Sequence, residues 1–161
     1  MAKEKQALGD RMLRRWQRLS PWPGGKWLFS FLIGRFAPYT GSISPRVIEL
    51  APGHAKVELR DRHKVRNHLN SIHAIALMNL GEVTTGLALL SGLKPGVRGI
   101  ITGLSIDYYK KARGRLVAES STTQPAVNGD IEHEVIAEIK DRQGDVVASC
   151  TAKWRLGLIT E

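Results

Sequence analysis

With 161 residues, 42% of them apolar and 24% charged, the sequence has the composition of one globular domain, which excludes disordered, fibrous and disulfide-stapled classes. A formal net charge of +9 favours some anionic partner. The basic residues are widely scattered with no nucleic-acid-recognition signature, so no specific nucleic acid is expected and most of them read as solvated surface. The single cysteine, Cys150, reads as a small core residue on a strand and suits a reducing cytoplasm. The polar start MAKEKQALGD lacks the apolar core of a secretory signal, and the apolar stretch from Trp27 to Ile33 is far shorter than the roughly 20 residues of a membrane span. A soluble, cytoplasmic protein is the expectation.

The first forty residues differ from the rest. Leu8, Met12, Trp16 and Leu19 recur at helical spacing before the breaker run Ser20 to Gly25. A second short helix follows, in which Trp27, Leu28, Phe31, Leu32 and Phe36 form one apolar face flanked by Lys26 and Arg35. Both helices are expected to pack on the domain. The alternative is an amphipathic lid or membrane-surface element, giving weak membrane contact.

Alternation then takes over. Val47 to Leu50 and Ala55, Val57 and Leu59, set against Lys56, Glu58 and Arg60, predict two half-buried strands turning at Pro52 and Gly53. Ile72 to Leu90 is apolar on nearly every side and predicts a buried helix ended by Gly92 and Pro95. Four strand-like runs follow at roughly 98–111, 115–123, 131–140 and 145–156, the last two joined around Gln143, Gly144 and Asp145. Consecutive strands with short turns predict an antiparallel sheet of about six strands wrapped around the helix, an α+β architecture. The organisation expected is an N-terminal helical extension over 1–40 and a main domain over 41–161, one globular unit overall.

Polar residues on the buried helix draw notice. Asn79, Glu82 and Gly86 form one narrow stripe. A carboxylate there must be paired, neutralised or used. Just before the helix stands Arg66-Asn67-His68-Leu69-Asn70-Ser71-Ile72-His73, a loop dense in hydrogen-bonding groups. His63, His68 and His73 recur every five residues, a poor spacing for one helical face, and no cysteine or paired carboxylate completes a ligand set, so no metal is expected.

Asn67 six positions before His73, with Glu82 nine positions after it, resembles the hotdog-fold thioesterases of the phenylacetate-pathway type. Strand order and helix placement match over about residues 40–157. The wording Asn-His-Leu-Asn-Ser-Ile-His-Ala most resembles a branch labelled as a domain of unknown function. The resemblance implies a hotdog fold and acyl-CoA thioesterase activity, with no cofactor beyond the coenzyme A of the substrate. It assigns Glu82 as general base or nucleophile, Asn67 as the group orienting water or substrate, and the Ala74 backbone amide beside His73 as the polariser of the thioester carbonyl. An amide at a helix N-terminus suits that task, being unpaired and partly positive. The family's Gly-Gly after the histidine is replaced here by Ala74-Ile75, and its Ser/Thr on the following strand maps to Ile101 or Thr102.

At about 100° per residue, His73 and Glu82 lie roughly on opposite sides of the helix. One subunit therefore does not bring them together, and the family's dimer implies a site shared between two chains, as a homodimer or a dimer of dimers. Asn79, Lys110, Lys111 and Arg113 are candidates for substrate contact, the basic ones through coenzyme A phosphates. A solvated hairpin tip is the alternative for the basic cluster. The rival reading of the chain is a non-catalytic acyl-thioester or lipid-binding protein; a hydratase of the same fold has no Asp/His pairing in its favour.

Overall fold

The computed structural model describes residues 8–159. Three helices open the chain: α1 over Leu8–Leu19, α2 over Gly25–Phe36 and α3 over Pro38–Ser42. Strands β1 (Arg46–Ala51) and β2 (His54–Leu59) precede the long helix α4 (Ala74–Leu90), and β3 (Val97–Tyr108), β4 (Leu116–Ser121), β5 (Ile131–Lys140) and β6 (Val146–Leu158) follow it. All six strands form one antiparallel sheet in the order β1-β2-β4-β5-β6-β3. This is the α+β architecture read from the sequence. The short helix α3 has no counterpart in that reading.

Helix α4 lies against the sheet and touches all six strands. Its close seat on β6 depends on Gly81, where an added Cβ would meet the Cβ of Cys150 at 2.3 Å. The core is built by alternate strand positions: Ala55, Val57 and Leu59 of β2, Leu116 and Ala118 of β4, and Ile139 of β5 meet Leu77, Leu80 and Leu87 of α4, all buried. A second cluster at the C-terminal end of α4 joins Leu89 to Val135, Trp154 and Leu156.

Helices α1 and α2 contribute to the first of these cores. Trp16 of α1 meets Phe29 of α2 edge to face, with centroids 5.2 Å apart, and both are buried within the main cluster. Ser30 fixes α2 to the sheet, accepting from the Val47 amide at 2.9 Å while donating to the Lys26 carbonyl at 2.7 Å. The packed face of α2 is thus that of Phe29 and Ser30. The stripe of Trp27, Leu28, Phe31, Leu32 and Phe36, expected to pack on the domain, is exposed instead.

Glu58 is a second departure from the alternating pattern. Placed by period on the polar face of β2, it is only 3% exposed, because Arg60 and Arg115 close over it. Arg60 Nε donates to one carboxylate oxygen at 3.2 Å and Arg115 Nη2 pairs with the other at 2.5 Å.

Candidate functional site

The loop before α4 is built around Asn67. Its side-chain oxygen accepts from the amides of Leu69 at 2.9 Å and Ser71 at 3.2 Å and from the Ser71 hydroxyl at 3.2 Å. Its own amide donates to the Ser71 carbonyl at 2.8 Å, and Asn70 takes a left-handed conformation, φ 53°. Only the Nδ2 donor of Asn67 is left without a partner among the described residues. Arg113 braces the same loop, donating to the carbonyls of Asn70 at 3.2 Å and Leu69 at 3.3 Å. Arg66 pairs with Asp61 at 2.6 Å, and Asp61 also accepts from the Gly114 amide at 2.8 Å. Arg66 is the main cause that holds the Asp61 carboxyl below its usual range, with Gly114 reinforcing it.

His73 caps α4: its Nδ1 accepts from the Ile75 amide at 3.1 Å. That bond requires an unprotonated Nδ1, so the proton of the neutral ring sits on Nε2. The amide of Ala74 makes no hydrogen bond among the described residues, as expected of a first-turn donor. Its carbonyl accepts from the Tyr108 hydroxyl at 3.0 Å, which ties the end of β3 to the start of α4.

Glu82 stands elsewhere. It lines a half-open cavity of about 390 Å³ bounded by α1, α2, α3, α4 and Trp154, with Phe29, Leu32, Val83, Leu87 and Leu90 among its apolar walls. Its carboxylate has no hydrogen-bond or ion-pair partner among the described residues, and burial pushes its pKa above the usual carboxylate range. The same burial pushes the Cys150 thiol up to about 11, with the charge of Glu82 adding to it. Gly86, one turn beyond Glu82, leaves open the space in front of the Trp154 ring. Arg11 and Arg15 reach the cavity from α1. Sequence reasoning missed both, although their four-residue spacing beside Leu8 and Met12 is a readable signal.

The structure therefore gathers Asn67, His73, Ala74 and Arg113 at one end of α4 and sets Glu82 in a separate cavity that none of them lines. Asn79 is buried, with Nδ2 donating to the Tyr39 carbonyl at 3.1 Å. Thr102 is exposed at the irregularity in the β3–β6 register and donates to the Lys153 carbonyl at 3.3 Å. Lys110 is held between Asp141 at 2.5 Å and Asp145 at 2.8 Å. Of the basic candidates, Lys111 alone has no partner among the described residues.

Residues 25–156 match the family model described as Domain of unknown function (DUF4442). That span takes in α2, which lies outside the resemblance read from the sequence. No curated protein matches the sequence. Among solved structures, the genomics target APC5556 is 29% identical, with a TM-score of 0.80 over 95% of this chain and 100% of its own. A protein of unknown function from Pseudomonas aeruginosa, PA5026, described as a probable thioesterase, is 21% identical with a TM-score of 0.74, over 81% of this chain and 93% of its own. The phenylacetic acid degradation protein PaaI from Thermus thermophilus is 20% identical with a TM-score of 0.62, over 73% of this chain and 97% of its own. The chain belongs to the family of the domain of unknown function DUF4442, with the fold of the hotdog thioesterase superfamily.

Proposed function

We propose that the chain is an acyl-CoA thioesterase that works as a homodimer. Glu82 of one protomer takes a proton from water as the water oxygen bonds to the thioester carbonyl carbon. The partner subunit's Ala74 amide stabilises the oxyanion, and the partner subunit's Asn67 orients the water through its free Nδ2. Collapse of the tetrahedral intermediate breaks the C–S bond, and the departing thiolate takes the proton, leaving a carboxylic acid and free coenzyme A.

The observation that carries this reading is the Glu82 carboxylate, unpaired among the described residues in a largely apolar cavity, its pKa raised by burial. A base whose proton affinity lies closer to neutrality is the better proton acceptor. Two chains are invoked because no one chain joins the Ala74 amide to that cavity. The exposed edge of β3, twelve residues long and paired only with β6, supports edge-to-edge pairing of two copies.

Coenzyme A release from aliphatic and aryl acyl-CoAs is the test. Glu82→Gln is expected to lower turnover by about 10²- to 10⁴-fold, and unchanged turnover overturns the assignment. Lys111 is the phosphate contact this reading favours, and Lys111→Ala is expected to raise KM with little change in kcat.

A second reading, a non-catalytic acyl-thioester or lipid-binding protein, is favoured by Arg11 and Arg15 on the wall of the cavity that Glu82 lines, which suit a bound carboxylate, and by Ala74-Ile75 at the helix start. Stoichiometric binding of a fatty acid or acyl-CoA without turnover supports it.

A further inference from the structure

Helix α2 carries its apolar face outward. Trp27, Phe31 and Phe36 are 63%, 51% and 71% exposed, and Tyr39 of α3 is 70% exposed. Trp27 and Phe31 stack on one another at 5.7 Å with their planes 13° apart. An aromatic surface of this extent marks a contact face and not ordinary solvent-facing helix.

Beside the same two rings lies a groove of about 720 Å³ between α2–α3 and β1–β2, whose walls include Arg35, Arg46, Arg60 and Arg62 against one carboxylate, Glu58. Both oxygens of Glu58 are already taken, by Arg60 and by Arg115. Arg62 donates through Nη2 to the Ile43 carbonyl at 2.6 Å, yet the Nε atoms of both Arg46 and Arg62 are buried without a hydrogen-bond partner among the described residues. Arg35 and Arg46 meet no carboxylate among the described residues. Guanidinium groups whose Nε atoms are buried and short of acceptors call for an anion, and their forked donors suit phosphate oxygens.

We propose that the α2–α3 face docks on an anionic lipid surface, with Trp27 and Phe31 entering the headgroup boundary and a lipid phosphate seated in the arginine groove. The juxtaposition on one face of exposed aromatic rings and acceptor-poor arginines is the chemistry of interfacial attachment. A second copy of the chain suits this face poorly, because it would oppose two sets of the same four arginines in a protein of net charge +9. A soluble phosphate would fill the groove and leave the aromatic rings in water. No described helix is long and apolar enough to cross a membrane, so attachment would be peripheral.

The test is flotation of the full chain with phosphatidylcholine vesicles, with and without phosphatidylglycerol. Binding is expected only when phosphatidylglycerol is present. Loss by at least about tenfold is expected both for Trp27→Ser/Phe31→Ser and for Arg46→Gln/Arg62→Gln, each basic residue near a charged surface being worth roughly fivefold. Should the variant of the half-buried arginine pair fail to fold by circular dichroism, Arg35→Glu at an exposed position serves in its place with the same expected loss. Equal binding to both vesicle types, or loss with the aromatic pair alone, overturns the phosphate seat. Failure of anionic vesicles to bind overturns the proposal, whether inorganic pyrophosphate then binds in calorimetry, which would make the groove a site for soluble phosphate, or not. A concentration-dependent dimer abolished by Trp27→Ser/Phe31→Ser overturns it in favour of a second copy.

Discussion

Gly81 brings the backbone of α4 so near β6 that a Cβ there would sit 2.3 Å from the Cβ of Cys150 and 2.6 Å from its sulfur. Gly81→Ala therefore sets two effects against each other. Helix propensity favours alanine by about 1 kcal/mol, while overpacking a close contact costs about 1–3 kcal/mol. The obstructing atoms include Cβ, which cannot swing away, so the variant is expected to be destabilised overall. Urea unfolding checks this through a lower midpoint at unchanged slope.

Glu82 makes stability depend on pH with a definite sign. Burial raises its folded-state pKa above the unfolded value, so the native state binds the proton more tightly. The stability linked to that proton is complete below the ordinary glutamate range and is lost as pH rises through the raised value. Glu82→Gln removes the loss. Its melting temperature is expected to exceed that of the parent at pH 8, with the difference shrinking toward pH 4; an equal difference at both pH values would sink the burial account.

Asn67 separates a structural role from a chemical one. Asn67→Ala leaves the amides of Leu69 and Ser71 without their acceptor and is expected to cost about 1–3 kcal/mol. Asn67→Asp keeps an acceptor oxygen and deletes the Nδ2 donor, so it should retain most of the stability while losing thioester turnover. Thermal melts of both variants beside coenzyme A release would distinguish the roles, and full turnover in Asn67→Asp counts against the donor.

Phe29 tests how far the N-terminal helices belong to the fold. It is 1% exposed and packs within the main core. Phe29→Ala is expected to cost about 3–5 kcal/mol, a large share of a domain's stability. A change below about 1 kcal/mol in chemical unfolding would mean that α2 detaches without consequence for the sheet.

The strands and α4 were legible because their signals are local: a period-two stripe such as Ile131, Val135, Ala137 and Ile139 is complete within ten residues. Helix α3 was not, since Pro38–Ser42 is a single turn with no period to detect. Periodicity found the apolar stripe of α2 but not which way it faces, which depends on Ser30 bonding to Val47 far along the chain. Glu58 was misplaced for a similar reason, its concealment depending on Arg115, distant in sequence, at the start of the neighbouring strand β4. At the site, Glu82 stood out as a lone carboxylate on an apolar helix. The bracing role of Arg113 could not be read, because its partners are loop carbonyls that exist only once the loop has closed. The arginine groove draws on residues of α2, β1 and β2 and the segment after it, and looked like scattered surface charge.

The Cys150 thiol is buried, and its pKa is pushed up to about 11, so the folded protein presents almost no thiolate to an electrophile at neutral pH. Alkylation then proceeds only through molecules in which α4 has lifted from β6. As the one cysteine in the chain, Cys150 is a natural clock for that opening. Its labelling rate, compared with global unfolding, would tell whether the helix bearing Glu82 breathes on its own or parts from the sheet only when the whole fold is lost.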